Sequence, residues 1–229
     1  MKRRLCLVLF LLMLVTCVTA SGEAADWNYD ANYAILRGYD GAGGDVVVPA
    51  EIDGFTVDVI GINVFKGDTI TSLTLPETVL ELRSSAISTC DNLTRVSLPQ
   101  SLVVINRMNF FSCNALSEIT IPAGVRYIGE NSFRFCDALR KITFEGVCPT
   151  FDGKSFTYLA GDAVAYVPDD QQEAYQAAFA ALESYDVQVM VCDSSEVNIQ
   201  KALKTAVETA SAARGERIGV IGGSGDTAA

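Results

Sequence analysis

Apolar side chains recur along this chain at a constant step. Leu73, Val96, Ile119 and Ile142 lie 23 residues apart, and Leu75, Leu98, Ile121 and Phe144 repeat that step two positions later. Further columns hold the same phase: Val79, Leu102, Val125 and Cys148; Leu82, Ile105, Ile128 and Phe151; Ile87, Phe110, Phe133 and Phe156; and Cys90, Cys113 and Cys136. Polar residues alternate with the first two columns, so each unit opens with a short strand that has one apolar and one polar face. Pro76, Pro99 and Pro122 close these strands, because proline cannot extend a hydrogen-bonded ladder. The phase continues outward. Ala165-Tyr166-Val167-Pro168 is a further unit in register, while Val57, Ile60 and Phe65 lead Val79, Leu82 and Ile87 by 22 residues, a one-residue deletion. Val46-Val47-Val48-Pro49 reads as the opening strand, followed by a longer connection through Gly54.

One such unit cannot fold alone. Its roughly six inward side chains contribute about 1.5–3 kcal/mol each, whereas ordering a single backbone residue costs about 1–2 kcal/mol. Stacked copies bury both faces of every apolar layer, so stability belongs to the array. A period near 23 lies in the leucine-rich-repeat range. The predicted fold is therefore a repeat solenoid of leucine-rich-repeat type, with a parallel β-sheet of short strands, one per rung, capped at both ends.

The unit Leu116-x-x-Ile119-x-Ile121-Pro122-x-x-Val125-x-x-Ile128-Gly129-x-x-Ser132-Phe133-x-x-Cys136 resembles the repeat of the BspA-like surface proteins of bacteria. The resemblance covers roughly residues 46–168. It implies a solenoid on a secreted or cell-surface protein, and some members of that family act as adhesins that bind host proteins. It transfers no ligand-binding motif residue by residue. No sorting motif or immunoglobulin-like module accompanies it here.

The ends read differently from the array. Lys2, Arg3 and Arg4 precede an apolar run from Leu5 to Val18, and Val18-Thr19-Ala20 supplies small residues for cleavage. Residues 1–20 thus read as a signal peptide cut near Ala20. Lipid anchoring at Cys17 is the alternative, disfavoured by Thr16 where lipoprotein boxes prefer a smaller residue. Residues 21–45, with Trp27, Tyr29, Tyr33 and Ile35 ahead of Gly41, Gly43 and Gly44, read as a hairpin-like N-terminal cap. The solenoid follows over 46–168. Over 169–192 we expect a C-terminal cap of helix and strand: Asp170 and Glu173 have capping-box spacing, Tyr175, Ala178, Phe179 and Leu182 keep helical intervals, and Val187 to Val191 adds a strand. Residues 193–229 read as a helical, then disordered, tail.

Composition narrows the function. The chain is 49% hydrophobic with a formal charge of −11, so a packed core is expected, while phosphate backbones and anionic headgroups are repelled. Nucleic acid is excluded as an expected partner, as is a transmembrane span in the mature chain. The sequence contains no histidine, which removes Ser-His-Asp and Cys-His catalysis and the commonest metal ligand together. No repeating acidic column supplies a carboxylate pair, and Asp169-Asp170 is explained by helix capping. The glycine-rich run Gly219 to Gly225 lacks both the lysine and the following helix of a phosphate loop. We expect neither enzyme activity nor a cofactor nor a metal.

Cys90, Cys113 and Cys136 admit a thiol metal site, a redox pair or a buried column of small apolar side chains. The last is favoured, because a column runs in parallel and does not converge on an ion. Cys148 sits in a Val/Leu column and reads as core, and Cys192, outside the register, is the candidate for exposure. The polar face of the strands is the remaining candidate site: Thr74, Ser97, Thr120, Thr143 and Tyr166, flanked by Ser72, Arg95, Glu118 and Lys141. One reading is a zipper of opposite charges between rungs, worth about 0.2–1 kcal/mol per pair. The other is a polar platform for a protein or glycan partner. The chain accordingly reads as a secreted or cell-surface binding or adhesion module, with a structural envelope or matrix solenoid as the alternative.

Overall fold

The computed structural model describes residues 26–67, 69–159, 163–181, 189–192 and 220–221. The leader read over 1–20 and the tail helix expected beyond Cys192 lie outside those residues. The described chain winds into a β-solenoid of parallel strands. One ladder runs through Gly44–Val47, Ile70–Thr74 and Arg95–Ser97, and a second piece of the same face through Glu118–Ile121, Lys141–Phe144, Ala163–Tyr166, Val189–Cys192 and Val220–Ile221. Leu73 faces Val96 across the strands, Ile119 faces Ile142, and Ile142 faces Ala165. The repeat in sequence is thus the register in space.

Each rung also gives a short strand to another ladder, which the sequence pattern did not assign. It comprises Val59–Ile60, Glu81–Leu82, Val104–Ile105, Tyr127–Ile128 and Thr150–Phe151, all parallel. At the front this ladder is joined by Ile35–Tyr39, which pairs antiparallel with Trp27–Asp30. A third corner is marked by Phe65–Lys66 beside Ile87–Ser88.

The interior is a set of vertical columns. Phe110, Phe133 and Phe156 are fully buried, and their rings stack at 5.2 Å in both steps, with interplanar angles of 10° and 3°. Leu102, Ile105, Val125 and Ile128 fill the neighbouring columns, while Leu98, Cys148 and Phe151 are only partly buried against this core. At the front, Trp27 packs against Tyr39 at 4.6 Å and against Phe65 at 6.4 Å. At the back, the helix Gln172–Ala181 lays Tyr175 and Phe179 over Phe144, Phe151 and Phe156. Both terminal layers are covered by aromatic rings, which bring the largest apolar area per residue.

Two expectations for the C-terminal side are corrected. Asp170 and Glu173 do not form a capping box: Pro168 stands at the N-cap, a 3-10 turn spans Asp169–Gln171 without a side-chain cap hydrogen bond, and the helix begins at Gln172. The proline ring already fixes an extended backbone, and Asp169 and Asp170 meet the first turn as charges favoured by its dipole. Val220–Ile221, expected within a disordered stretch, instead pairs as a strand with Val191 and Cys192. An open strand edge and a β-branched dipeptide suit each other there.

A polar column lies inside the third corner. Asn109 is fully buried; its Oδ1 accepts from the Ala86 amide at 3.1 Å, and its Nδ2 donates to the carbonyls of Leu82 and Asn106 at 3.2 and 2.7 Å. One and two rungs later, the Ser132 and Ser155 hydroxyls donate to the Gly129 carbonyl at 2.7 and 3.0 Å. Beside this column the backbone turns left-handed once per rung, at Asn63, Ser85, Met108, Asn131 and Lys154, and again at Thr89, Ser112, Phe135 and Tyr158. Such a conformation costs an L-residue about 1–2 kcal/mol, a cost the packed array sustains.

Two stability measurements check this reading. Asn109→Ala removes three buried hydrogen bonds, each worth about 0.5–1.5 kcal/mol net, while the Ala86 amide keeps the Arg83 carbonyl, the Leu82 carbonyl keeps the Asn106 amide and the Asn106 carbonyl keeps the Ser132 hydroxyl; denaturant unfolding should show a loss of about 2 kcal/mol, against less than about 1 kcal/mol for the exposed pair lost in Asn114→Ala. Thr89 is β-branched with φ 52°, so Thr89→Gly should raise stability by about 0.5–1 kcal/mol.

Candidate functional site

The polar strand face emerges in two hydrogen-bonded pieces. On the first, Ser72 stands beside Arg95 and Thr74 beside Ser97. On the second, Glu118 stands beside Lys141, and Thr120, Thr143 and Tyr166 form a row. Thr74, Arg95, Ser97, Glu118, Thr120 and Lys141 are exposed, whereas Thr143 and Tyr166 are half-buried.

The charge zipper expected along Arg95, Glu118 and Lys141 does not form. Ion pairs form elsewhere, between Arg37 and Asp30 at 2.7 Å and between Arg83 and Glu81 at 3.9 Å. Two causes are visible. The strands carrying Arg95 and Glu118 belong to different hydrogen-bonded pieces, and the Lys141 ammonium lies over the Tyr166 ring, 5.5 Å from its centroid. An exposed cation gains about 0.5–1 kcal/mol over an aromatic face, comparable with an exposed ion pair. At the front of the same face, Asp45 instead accepts from the Ser72 hydroxyl at 2.6 Å.

The cysteine column is interior. Cys90, Cys113 and Cys136 are free and buried, and Cys148 is free and half-buried. The Cys136 thiol donates to the Phe110 carbonyl at 2.9 Å, 26 residues and about one rung away in sequence but adjacent in space. Burial pushes the Cys136 thiol up to about 12 and Cys148 up to about 11. A hydrogen bond with the Cys90 side chain, followed by burial, raises Cys113 well above the ordinary thiol value. These groups hold their protons at neutral pH and are poor nucleophiles. Among the described residues, no cluster of three or more Cys, Asp or Glu is placed to hold a metal ion.

One surface cluster escaped the sequence reading. Phe111, Phe135 and Tyr158 line the third corner, with ring centroids 5.4 Å apart in the first pair and 5.1 Å in the second. The Arg134 guanidinium sits 4.7 Å from the Phe135 ring and 4.8 Å from that of Tyr158. Tyr158 is 53% exposed. Phe135 and Tyr158 are 23 residues apart, so their column was available in the sequence. What turns it outward is the left-handed backbone at both positions, with φ 63° and 56°. No composition rule announces that conformation for an aromatic residue.

A family model described as the BspA type leucine rich repeat region matches residues 53–184 in six copies. Among solved structures, a leucine rich repeat protein of T. pallidum is similar with a TM-score of 0.52 and 21% identity, over 75% of this chain and 71% of that one. A leucine-rich repeat protein from Bacteroides capillosus matches with 34% identity and a TM-score of 0.46, over 52% of this chain and 93% of that one. A leucine rich cell surface protein from Faecalibacterium prausnitzii matches at 21% identity and a TM-score of 0.44, over 51% of this chain and 31% of that one. No curated protein matches the chain. Among the described residues, no helix is long and apolar enough to cross a membrane.

The raised thiols make stability depend on alkaline pH. Cys136 has an ordinary value of 9.0 and keeps its proton to about 12 in the folded chain. The unfolded chain therefore loses that proton first, and the folded state loses about 1.4 kcal/mol per pH unit for each such thiol above pH 9. Denaturant titrations at pH 8, 10 and 11 should show a midpoint that falls over the last two. Alkylation at pH 8 should leave Cys90, Cys113 and Cys136 unmodified until denaturant is added.

Proposed function

The chain belongs to the BspA-type leucine-rich-repeat family, and from that premise we propose that it is an exported, non-catalytic binding module. Its array holds a row of polar side chains in fixed register for a protein or glycan partner. The observation that carries this reading is the unspent charge of the strand face. Arg95, Glu118 and Lys141 project from a stiff stack, yet no ion pair joins them among the described residues. Backbone positions fixed by the array lose little freedom on contact, which is the main gain a scaffold brings to recognition. The raised, buried thiols and the absence of histidine support a role without chemistry.

Export is supported by the three basic residues Lys2, Arg3 and Arg4 ahead of the apolar run from Leu5 to Val18. Such a module would act at the cell surface or beyond it. Its acidic balance of 28 Asp and Glu against 17 Lys and Arg favours partners with basic or neutral contact surfaces over polyanions.

The test is a pull-down from extracellular protein and glycan preparations, followed by affinity measurement on the captured partner. Reversing both cations, Arg95→Glu with Lys141→Glu, should weaken binding about tenfold or more, which corresponds to about 1.4 kcal/mol, while the lost Tyr166 contact and the new Glu118 neighbour lower stability by only about 1–2 kcal/mol and leave the chain folded. Unaltered affinity would remove the strand face from the interaction. Self-association without any captured partner would favour a structural matrix role instead.

A further inference from the structure

A cavity of about 330 Å³ opens where the front hairpin meets the first rung, lined among others by Asn28, Tyr39, Asp40, Asn63, Lys66 and Thr69. None of the strand-face residues discussed above lines it. We propose that this cavity is a binding site for a neutral sugar residue.

Its donor and acceptor set is the first reason. Two carboxamides, Asn28 and Asn63, each both donate and accept; the Thr69 hydroxyl does the same; Asp40 accepts and Lys66 donates. Among the described residues these five side chains make no hydrogen bond or ion pair. Their capacity is available to a ligand, and vicinal hydroxyls, which both donate and accept, match such a set. Net charge is the second reason. Asp40 and Lys66 offset each other, and Arg37, which also borders the cavity, is held by Asp30 at 2.7 Å. A neutral polyol fits this balance better than an anion or a cation. The third reason is the wall. Tyr39 supplies an aromatic surface of the kind that sugar C–H faces pack on, and its ring is braced by Trp27 at 4.6 Å and Phe65 at 6.0 Å.

The frame is built tightly enough to hold these groups in place. Gly43 has φ 86°, and a Cβ there would collide with the Thr69 backbone, while a Cβ at Gly41 would collide with the Tyr39 ring. Only glycine allows the chain to close against the wall at these two points. The volume sits at the low end of the range of about 300–1,000 Å³ for small-molecule sites. That suits one sugar residue, with linked neighbours leaving through the mouth.

The experiment is ligand-observed NMR on the full chain with glucose, galactose, mannose and N-acetylglucosamine, alongside glucuronic acid and inorganic phosphate. We expect saturation transfer to at least one neutral sugar with a dissociation constant of roughly millimolar. Asn63 has φ 55°, so Asn63→Gly removes its amide without backbone strain. That variant and Lys66→Met should each weaken the sugar about tenfold, and neither should lower the thermal midpoint. Arg95→Glu with Lys141→Glu should leave the sugar signal intact, so the two sites are judged separately. Transfer to none of the neutral sugars, a preference for glucuronic acid or phosphate, or binding indifferent to both cavity variants would each overturn the assignment.

Discussion

Every layer of this protein rests on one constraint: a side chain must match its own counterpart one rung away. Phe133 has Phe110 below and Phe156 above, at the same centroid distance of 5.2 Å on both sides. A residue of different size would leave a gap against two neighbours at once, and dispersion contacts fall off steeply across such gaps. Columns of apolar residues are thus the packing solution for a stack, strictly uniform at Phe110, Phe133 and Phe156 and mixed in size elsewhere, as at Val79, Leu102 and Val125. The same condition selects the polar interior. Asn109, Ser132 and Ser155 occupy one column because every rung presents corner carbonyls that must be satisfied.

This constraint explains what the sequence made legible. Columns such as Leu73, Val96, Ile119 and Ile142 announce themselves because the core repeats them, and their register in space follows directly. The second ladder through Leu82, Ile105 and Ile128 was readable as apolar columns but not as strands. Two-residue strands are too short for alternation to show. The terminal caps were partly legible: the aromatic cluster near Trp27 and the Tyr175–Phe179 spacing pointed to covers, whereas the helix start did not, since Pro168 took the position assigned to a side-chain cap.

The candidate sites were less legible, for a different reason. Outward residues are less bound by stacking: Thr74, Ser97, Thr120 and Thr143 hold the phase, but the flanking Ser72, Arg95, Glu118 and Lys141 change character at each step. Arg95, Glu118 and Lys141 could be placed outside, but whether they pair depends on which strands share hydrogen bonds, and that is decided by small shifts between rungs. The corner of Phe111, Phe135 and Tyr158 depends on left-handed backbone at residues that rarely adopt it. The front cavity depends on how the hairpin meets the first rung, a junction that occurs once and so leaves no repeat to read.

The break on the strand face has a mechanical meaning. Between Arg95–Ser97 and Glu118–Ile121 that face has no shared hydrogen-bonded ladder, while Glu81–Leu82, Val104–Ile105 and Tyr127–Ile128 run on without interruption behind it. At that step the coil is tied by the second ladder and by the packed columns of the core, not by the strand face. Ser97 and Thr120 flank that break, so the polar surface is least fastened by backbone hydrogen bonds where these two side chains are exposed.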